Sequence, residues 1–245
     1  MSSEPPTSDT LPRIDRPDAG LAVVMQWSTR DAGQQRTVME IAVAASERTA
    51  WPDAVLSLSW FTGTDGCQIL AYAQWTTEKD YSEFGQAHNA AFGREIDELP
   101  GVAGTGPVNY RLYRSSVRDT VTPGCIVAVT VEFDGPDHCR QKEWVDAVFD
   151  ALASEAAPPS GGIGAHFHLS TDGTRVLNYA LWTSEQAHRD AIERSGQGAV
   201  GLSPAWRRVQ AFPGMKSGGA VRYRLQRSLS RPAAPSTAAA KGGLR

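Results

Sequence analysis

Four residues of this 245-residue chain, His166, His168, Asn178 and Trp182, have types and spacing suited to chemistry on a small molecule. Asn178 and Trp182 lie four apart in a run over 174–182 that reads as a strand. Side chains alternate between the faces of a strand, so both leave the same face. Ala180 lies between them and leaves room above it. An amide beside an indole, over a small residue, makes a floor for a flat phenolic ligand. Tyr179 and Trp206 complete the expected substrate contacts. The competing reading makes Trp182 a core residue and has Asn178 satisfy a local hydrogen bond.

His166-Phe167-His168 precedes this strand in a hairpin, and the two imidazoles share one face. Histidine is suited to proton transfer near neutral pH. Either imidazole can take a proton from a phenol and leave an electron-rich anion that reacts with O2. The competing reading is a buried or rim histidine with a satisfied hydrogen bond. Register decides the partner. A three-residue turn with Gly173 left-handed sets His166 opposite Asn178, whereas a two-residue turn sets Phe167 there. His-x-His can also give two metal ligands, but no third stands at a fitting spacing, so no metal is expected. Gly196-x-Gly198-x-x-Gly201 spells a dinucleotide fingerprint. It follows a helix rather than a strand, so it cannot place a phosphate at a βα turn.

The elements that position these residues occur twice. Thr64 to Glu78 returns 107 residues later as Thr171 to Glu185, with nine of fifteen positions identical. Tyr110-Arg111-Leu112-Tyr113-Arg114-Ser115 returns as Tyr223-Arg224-Leu225-Gln226-Arg227-Ser228. A period near a hundred residues indicates a duplicated domain rather than a solenoid. Each copy reads as strand, amphipathic helix, hairpin, helix and strand. In copy one the first helix carries an apolar stripe at Val38, Ile41, Ala42 and Ala45. In copy two the stripe is Trp144, Val145, Val148, Phe149 and Leu152. The expected fold is α+β: two tandem ferredoxin-like β-α-β-β-α-β repeats, 19–116 and 124–230, forming an intrachain dimeric α+β barrel. Residues 1–18 and 231–245 are rich in Pro, Ala, Ser and Gly and read as disordered tails.

The run Asn178-Tyr179-Ala180-Leu181-Trp182, the Tyr-Arg-Leu-x-Arg-Ser endings and the barrel pattern resemble the antibiotic biosynthesis monooxygenase family. The resemblance implies a cofactor-independent oxygenase that turns an anthrone or hydroquinone into a quinone. It also covers cyclases, ring-cleaving oxygenases and haem-degrading enzymes. In the family the Asn and Trp of this strand contact substrate, and Asn178 and Trp182 match. Copy one has Trp75 but Ala71 in place of the Asn. A further Asn that some members carry on the first strand is missing from both copies.

Net charge is −3 with no basic block, which argues against nucleic acid as a partner. No apolar run reaches the roughly 20 residues of a membrane helix. The polar start lacks a secretory core and three cysteines show no paired spacing, so the chain reads as cytoplasmic. Arg111, Arg114, Arg224 and Arg227 recur on the closing strands, which suits pairing between repeats or a solvated face. The segment around Trp206, Arg207 and Arg208 is six residues longer than its counterpart; it can cover a pocket, although packing is the role expected first.

The expected function is oxidation of a phenol or anthrone of aromatic polyketide metabolism by O2. His166 or His168 serves as base, Asn178 as oxyanion donor and Trp182 as stacking wall. No tightly held cofactor is implied, and a diffusible reduced flavin remains open, as does homodimer formation. The alternatives are a polyketide cyclase using the same pocket without O2, or a non-catalytic binding module.

Overall fold

The structure, a computed structural model, describes residues 7–8, 10–87, 95–118, 121–157, 159–195, 201 and 203–232. The fingerprint-like glycines 196 and 198, residues 1–6 and residues 233–245 lie outside that set. The strands are β1 (Thr7–Ser8), β2 (Leu21–Ser28), β3 (Val55–Gly63), β4 (Gln68–Trp75), β5 (Ala103–Gly104), β6 (Val108–Val117), β7 (Cys125–Phe133), β8 (Gly162–Ser170), β9 (Arg175–Trp182) and β10 (Met215–Ser230). The helices are α1 (Ala32–Arg48), α2 (Glu78–Ala87), α3 (His138–Ser154), α4 (Glu185–Ser195) and α5 (Pro204–Gln210). No helix among the described residues is long and apolar enough to cross a membrane.

β10, β3, β4, β2, β6, β8, β9 and β7 pair antiparallel in that order, and β7 returns to β10. The ring is therefore a closed eight-stranded barrel, which leaves no sheet edge among these strands to aggregate. The order strand, helix, hairpin, helix, strand runs once through β2–β6 and again through β7–β10. Each half ends on a strand that pairs with both halves: β6 joins β2 to β8, and β10 joins β7 to β3.

The closing-strand arginines reinforce this exchange. Arg111 reaches Glu78 and Arg224 reaches Glu185, each within its own half. Arg114 crosses to Asp146 on α3, and Arg227 crosses to Glu47 on α1. All four pairs are partly exposed, so each contributes at most about 1 kcal/mol.

Strand alternation gives the barrel two faces. Phe61, Leu70, Tyr72, Ile126, Leu177, Tyr179 and Tyr223, drawn from both halves, fill the interior. Outside, α1 and α2 cover the first half over Trp27, Val38, Trp60 and Trp75. Helices α3 and α5 cover Phe167, Val176 and Val131, and α4 covers Val127, Ala180 and Trp182. Helices α1 and α3 begin alike. Asp31 accepts from the Gln34 amide, and Asp137 accepts from those of Cys139 and Arg140. Each such cap contributes about 1 kcal/mol.

Part of the expected N-terminal tail is packed rather than disordered. Ile14 belongs to the interior core, and Gln74 Nε2 donates to the carbonyls of Arg13 and Ile14. Arg16 is buried. Its guanidinium meets both carboxylate oxygens of Asp18 and the carbonyls of Leu56 and Arg231. A polar, Pro-rich composition hid this because one apolar side chain and one fully bonded guanidinium suffice to anchor a short segment.

Candidate functional site

The site follows from one fact of register. Across the β8–β9 hairpin, Phe167 stands opposite Asn178, His166 opposite Tyr179 and His168 opposite Leu177. The pairing centres on Asp172 and Gly173, and Gly173 adopts φ of 78°. This is the register expected of the two-residue alternative, although the loop itself spans residues 171–174, with the Gly173 N–H donating to the Ser170 carbonyl and glycine supplying the positive φ. A slip of one residue in a hairpin moves a whole strand face to the other side. The two histidines therefore face the barrel interior, while Asn178, Ala180 and Trp182 face the helices.

His166 and His168 thus do not meet Asn178, which corrects the expected catalytic grouping. His168 is fully buried. Its Nδ1 donates to the His166 carbonyl at 3.0 Å, so its Nε2 is the acceptor for the Tyr72 hydroxyl, also at 3.0 Å. Burial first, then the neighbouring His166, lowers its pKa to about 3. His166 Nδ1 shares a 2.8 Å hydrogen bond with the Ser115 hydroxyl, and burial lowers its pKa against the opposing pull of Asp15. Both are interior histidines with partners. Tyr179, the expected substrate contact beside Asn178, likewise lies inside, among Tyr72, Phe61 and His166. Its buried hydroxyl has no partner among the described residues. Removing an unpaired buried hydroxyl relieves a desolvation cost, so Tyr179→Phe is expected to leave ligand binding unchanged and to stabilise the fold by about 1 kcal/mol in urea denaturation. A loss of binding would return Tyr179 to the site.

On the helix-facing side, Phe167, Asn178, Ala180, Trp182 and Trp206 line one hollow together with His188, a residue the sequence did not single out. The hollow measures about 100 Å³ and opens to solvent on one side. Its walls are mainly apolar. Trp206 comes from α5, which Trp144 Nε1 ties to α3 through the Val209 carbonyl at 3.3 Å. The longer segment before β10 therefore both packs and closes the pocket. Asn178 is half-buried, yet its Oδ1 is fully enclosed and has no hydrogen-bond partner among the described residues. Leaving such an acceptor unpaired costs roughly 1–3 kcal/mol.

His188 packs edge-on against Trp182, ring centroids 4.8 Å apart. Arg222 Nε donates to its Nδ1 at 2.9 Å. Arginine can only donate, so Nδ1 is unprotonated and the neutral ring carries its proton on Nε2. Burial first, then Arg222 and Arg189, lowers the His188 pKa to about 4. This arrangement opposes haem or metal ligation by His188. A ligating Nε2 must be free of its proton, with Nδ1–H donating to an acceptor. Here the Arg222 donor reverses that order. Among the described residues no three His, Cys, Asp or Glu side chains gather around a common point.

The first half packs the same face with different side chains. Trp60 stands opposite Ala71, as Phe167 stands opposite Asn178. Trp60 is fully buried, packs on Trp27 and donates to the Ser46 hydroxyl at 2.8 Å. Trp75 carries Tyr81 and Phe84 against it, where Trp182 carries His188. A larger indole and an alanine thus replace the phenyl ring and the amide.

No family model and no curated protein matches the chain. Among solved structures, an anthrone oxidase-like protein superimposes with a TM-score of 0.65 at 18% identity, covering 92% of this chain and 96% of its own. A Fusobacterium nucleatum protein provisionally described as a monooxygenase gives 0.51 at 8% identity, covering 88% and 97%. At these identities the likeness is one of fold.

Proposed function

We propose that this chain is a tandem duplication of one barrel half and that its second half is a small-molecule oxygenase site. The substrate class is a phenol or anthrone of aromatic polyketide metabolism, and the product is a quinone. The observation that carries this reading is the enclosed amide oxygen of Asn178, without a partner among the described residues, on the wall of a mainly apolar hollow. A small rotation of the side chain turns that oxygen toward a ligand hydroxyl in the hollow. After ionisation, rotation of the amide offers its N–H donors to the oxyanion instead. Trp182 and Trp206 supply aromatic walls. A closed cavity of roughly 150 Å³ holds one benzene ring, so this hollow takes the reacting edge of a ring system while the remainder lies in its mouth.

With His166 and His168 inside the barrel and His188 held as a donor, the pocket supplies dipoles rather than a base. The substrate loses its proton to solvent, and fixed dipoles stabilise the anion. The anion passes one electron to O2, giving a substrate radical and superoxide. Their union forms a C–O bond. The peroxide takes a proton, then loses the remaining hydrogen on that carbon as its O–O bond breaks. One oxygen atom ends as the quinone carbonyl and the other as water, so CH2 becomes C=O and O2 is consumed one for one. This sequence calls on no resident cofactor. The anthrone oxidase-like neighbour agrees with the reading in fold, and the Asn178–Trp182 pair agrees in residues. A cytoplasmic location and action as a soluble enzyme on one aromatic substrate plus O2 belong to the same proposal.

The test is O2 uptake with a model anthrone. Stoichiometric uptake with quinone formation is expected. Turnover that continues under argon would instead mark a cyclase.

A further inference from the structure

The hydrogen bond from Arg222 to His188 has a consequence for what the hollow recognises. His188 is 3% exposed and lines the pocket. Its Nδ1 is engaged, and its Nε2–H has no partner among the described residues. A histidine held this way neither accepts a proton at Nε2 nor gives one up readily. It presents a neutral N–H donor in an apolar surround, where such a dipole acts more strongly on a developing charge than in water. We propose that His188 is a second oxyanion donor of this pocket, beside the Asn178 amide, and that Arg222 is its positioning residue. Together they select ligands bearing an oxygen that is anionic or becomes so, a hydroxyquinone or phenolate rather than an aromatic hydrocarbon or amine. This rests on the oxygenase reading of the hollow and adds a second group that polarises an oxygen of the substrate.

The surroundings support the assignment. Arg222 lies on β10, opposite Val127 of β7, and reaches His188 across 34 residues of sequence. Arg189 and Glu185 flank His188 on its own helix, and Glu185 is occupied by Arg189 and Arg224. Cys125 of β7 also lies near Arg222, and burial raises its thiol pKa, so it stays uncharged near neutrality. Trp182, packed edge-on, is the non-titrating neighbour. Two positive groups near the ring therefore disfavour the imidazolium. Arg118 also lines the pocket and favours the same ligand charge.

The tests use alizarin, a hydroxyquinone whose visible spectrum reports its own ionisation, and nitrogen NMR of the imidazoles. On the wild-type protein, bound alizarin is expected to ionise at least about one pH unit lower than in free solution. His188→Phe should abolish the shift. Arg222→Met should diminish it, and Arg222→Lys, which keeps a donor, should restore part of it. The NMR spectrum should show His188 with its proton on Nε2, and Arg222→Met should mix the tautomers. Alizarin bound with an unshifted ionisation, an equal shift in His188→Phe, no binding at all, or an Nδ1-protonated His188 each overturns the proposal. A retained shift without O2 uptake overturns the oxygenase reading instead and leaves the donor assignment standing.

Discussion

Replacing Asn178 with leucine is expected to slow anthrone turnover about a hundredfold and, at the same time, to stabilise the fold by about 1–3 kcal/mol. The two effects have one origin. Asn178 keeps an amide oxygen enclosed without a partner among the described residues, which penalises the folded state. Leucine has a similar size and no polar atom, so the penalty vanishes. The same exchange removes the amide that polarises the substrate oxygen, and loss of one such donor typically costs two to three powers of ten in kcat. Urea denaturation and steady-state O2 uptake on the same preparation measure both. A variant that is less stable than the wild type shows that Asn178 has a structural partner. A stable variant with unchanged turnover removes it from the mechanism.

Mild acid is expected to weaken the barrel through histidines that fold only in the neutral form. His168 has an ordinary pKa of 6.5 and a folded pKa of about 3. The folded value is depressed, so protons bind the unfolded chain more tightly. The contribution is complete above pH 6.5 and is lost as pH falls toward 3. Over that window it amounts to about 5 kcal/mol, or roughly 1.4 kcal/mol per pH unit. His188, with a folded pKa of about 4, acts in the same direction. Between pH 6.5 and 5 the carboxylates remain ionised, so the slope there reports histidines. His168→Gln keeps an acceptor for the Tyr72 hydroxyl and a donor for the His166 carbonyl but does not titrate. Its stability should be lower at pH 7, and its slope between pH 6.5 and 5 smaller by about one proton. An identical slope in both proteins would mean that His168 is protonated when folded.

Much of this was readable from residues alone. The recurring Thr-Asp-Gly turns and Tyr-Arg-Leu endings place the strands, and the barrel follows because each half ends on a strand shared with the other. The alternation along β9 puts Asn178, Ala180 and Trp182 on one face, and they are found there. The fate of His166 and His168 was not readable, because it depends on whether the hairpin loop holds an even or an odd number of residues. That choice rests on the backbone at Asp172 and Gly173 rather than on residue type. His188 was missed for another reason. A single histidine on a polar helix carries no signal until Arg222, far away in sequence, is known to lie against its ring. A weak cue existed in the repeat itself, since His188 replaces Tyr81 six residues after the shared tryptophan. Ile14 and Arg16 were hidden by composition, since their neighbours read as a tail.

A crystal structure with a bound hydroxyquinone tests most directly where this protein does its work. The ring system should enter between Trp182 and Trp206, with one oxygen in hydrogen-bonding range of the Asn178 amide and another facing His188. Density inside the barrel beside His166 and Tyr179, or against the packed face around Trp60, would contradict that placement.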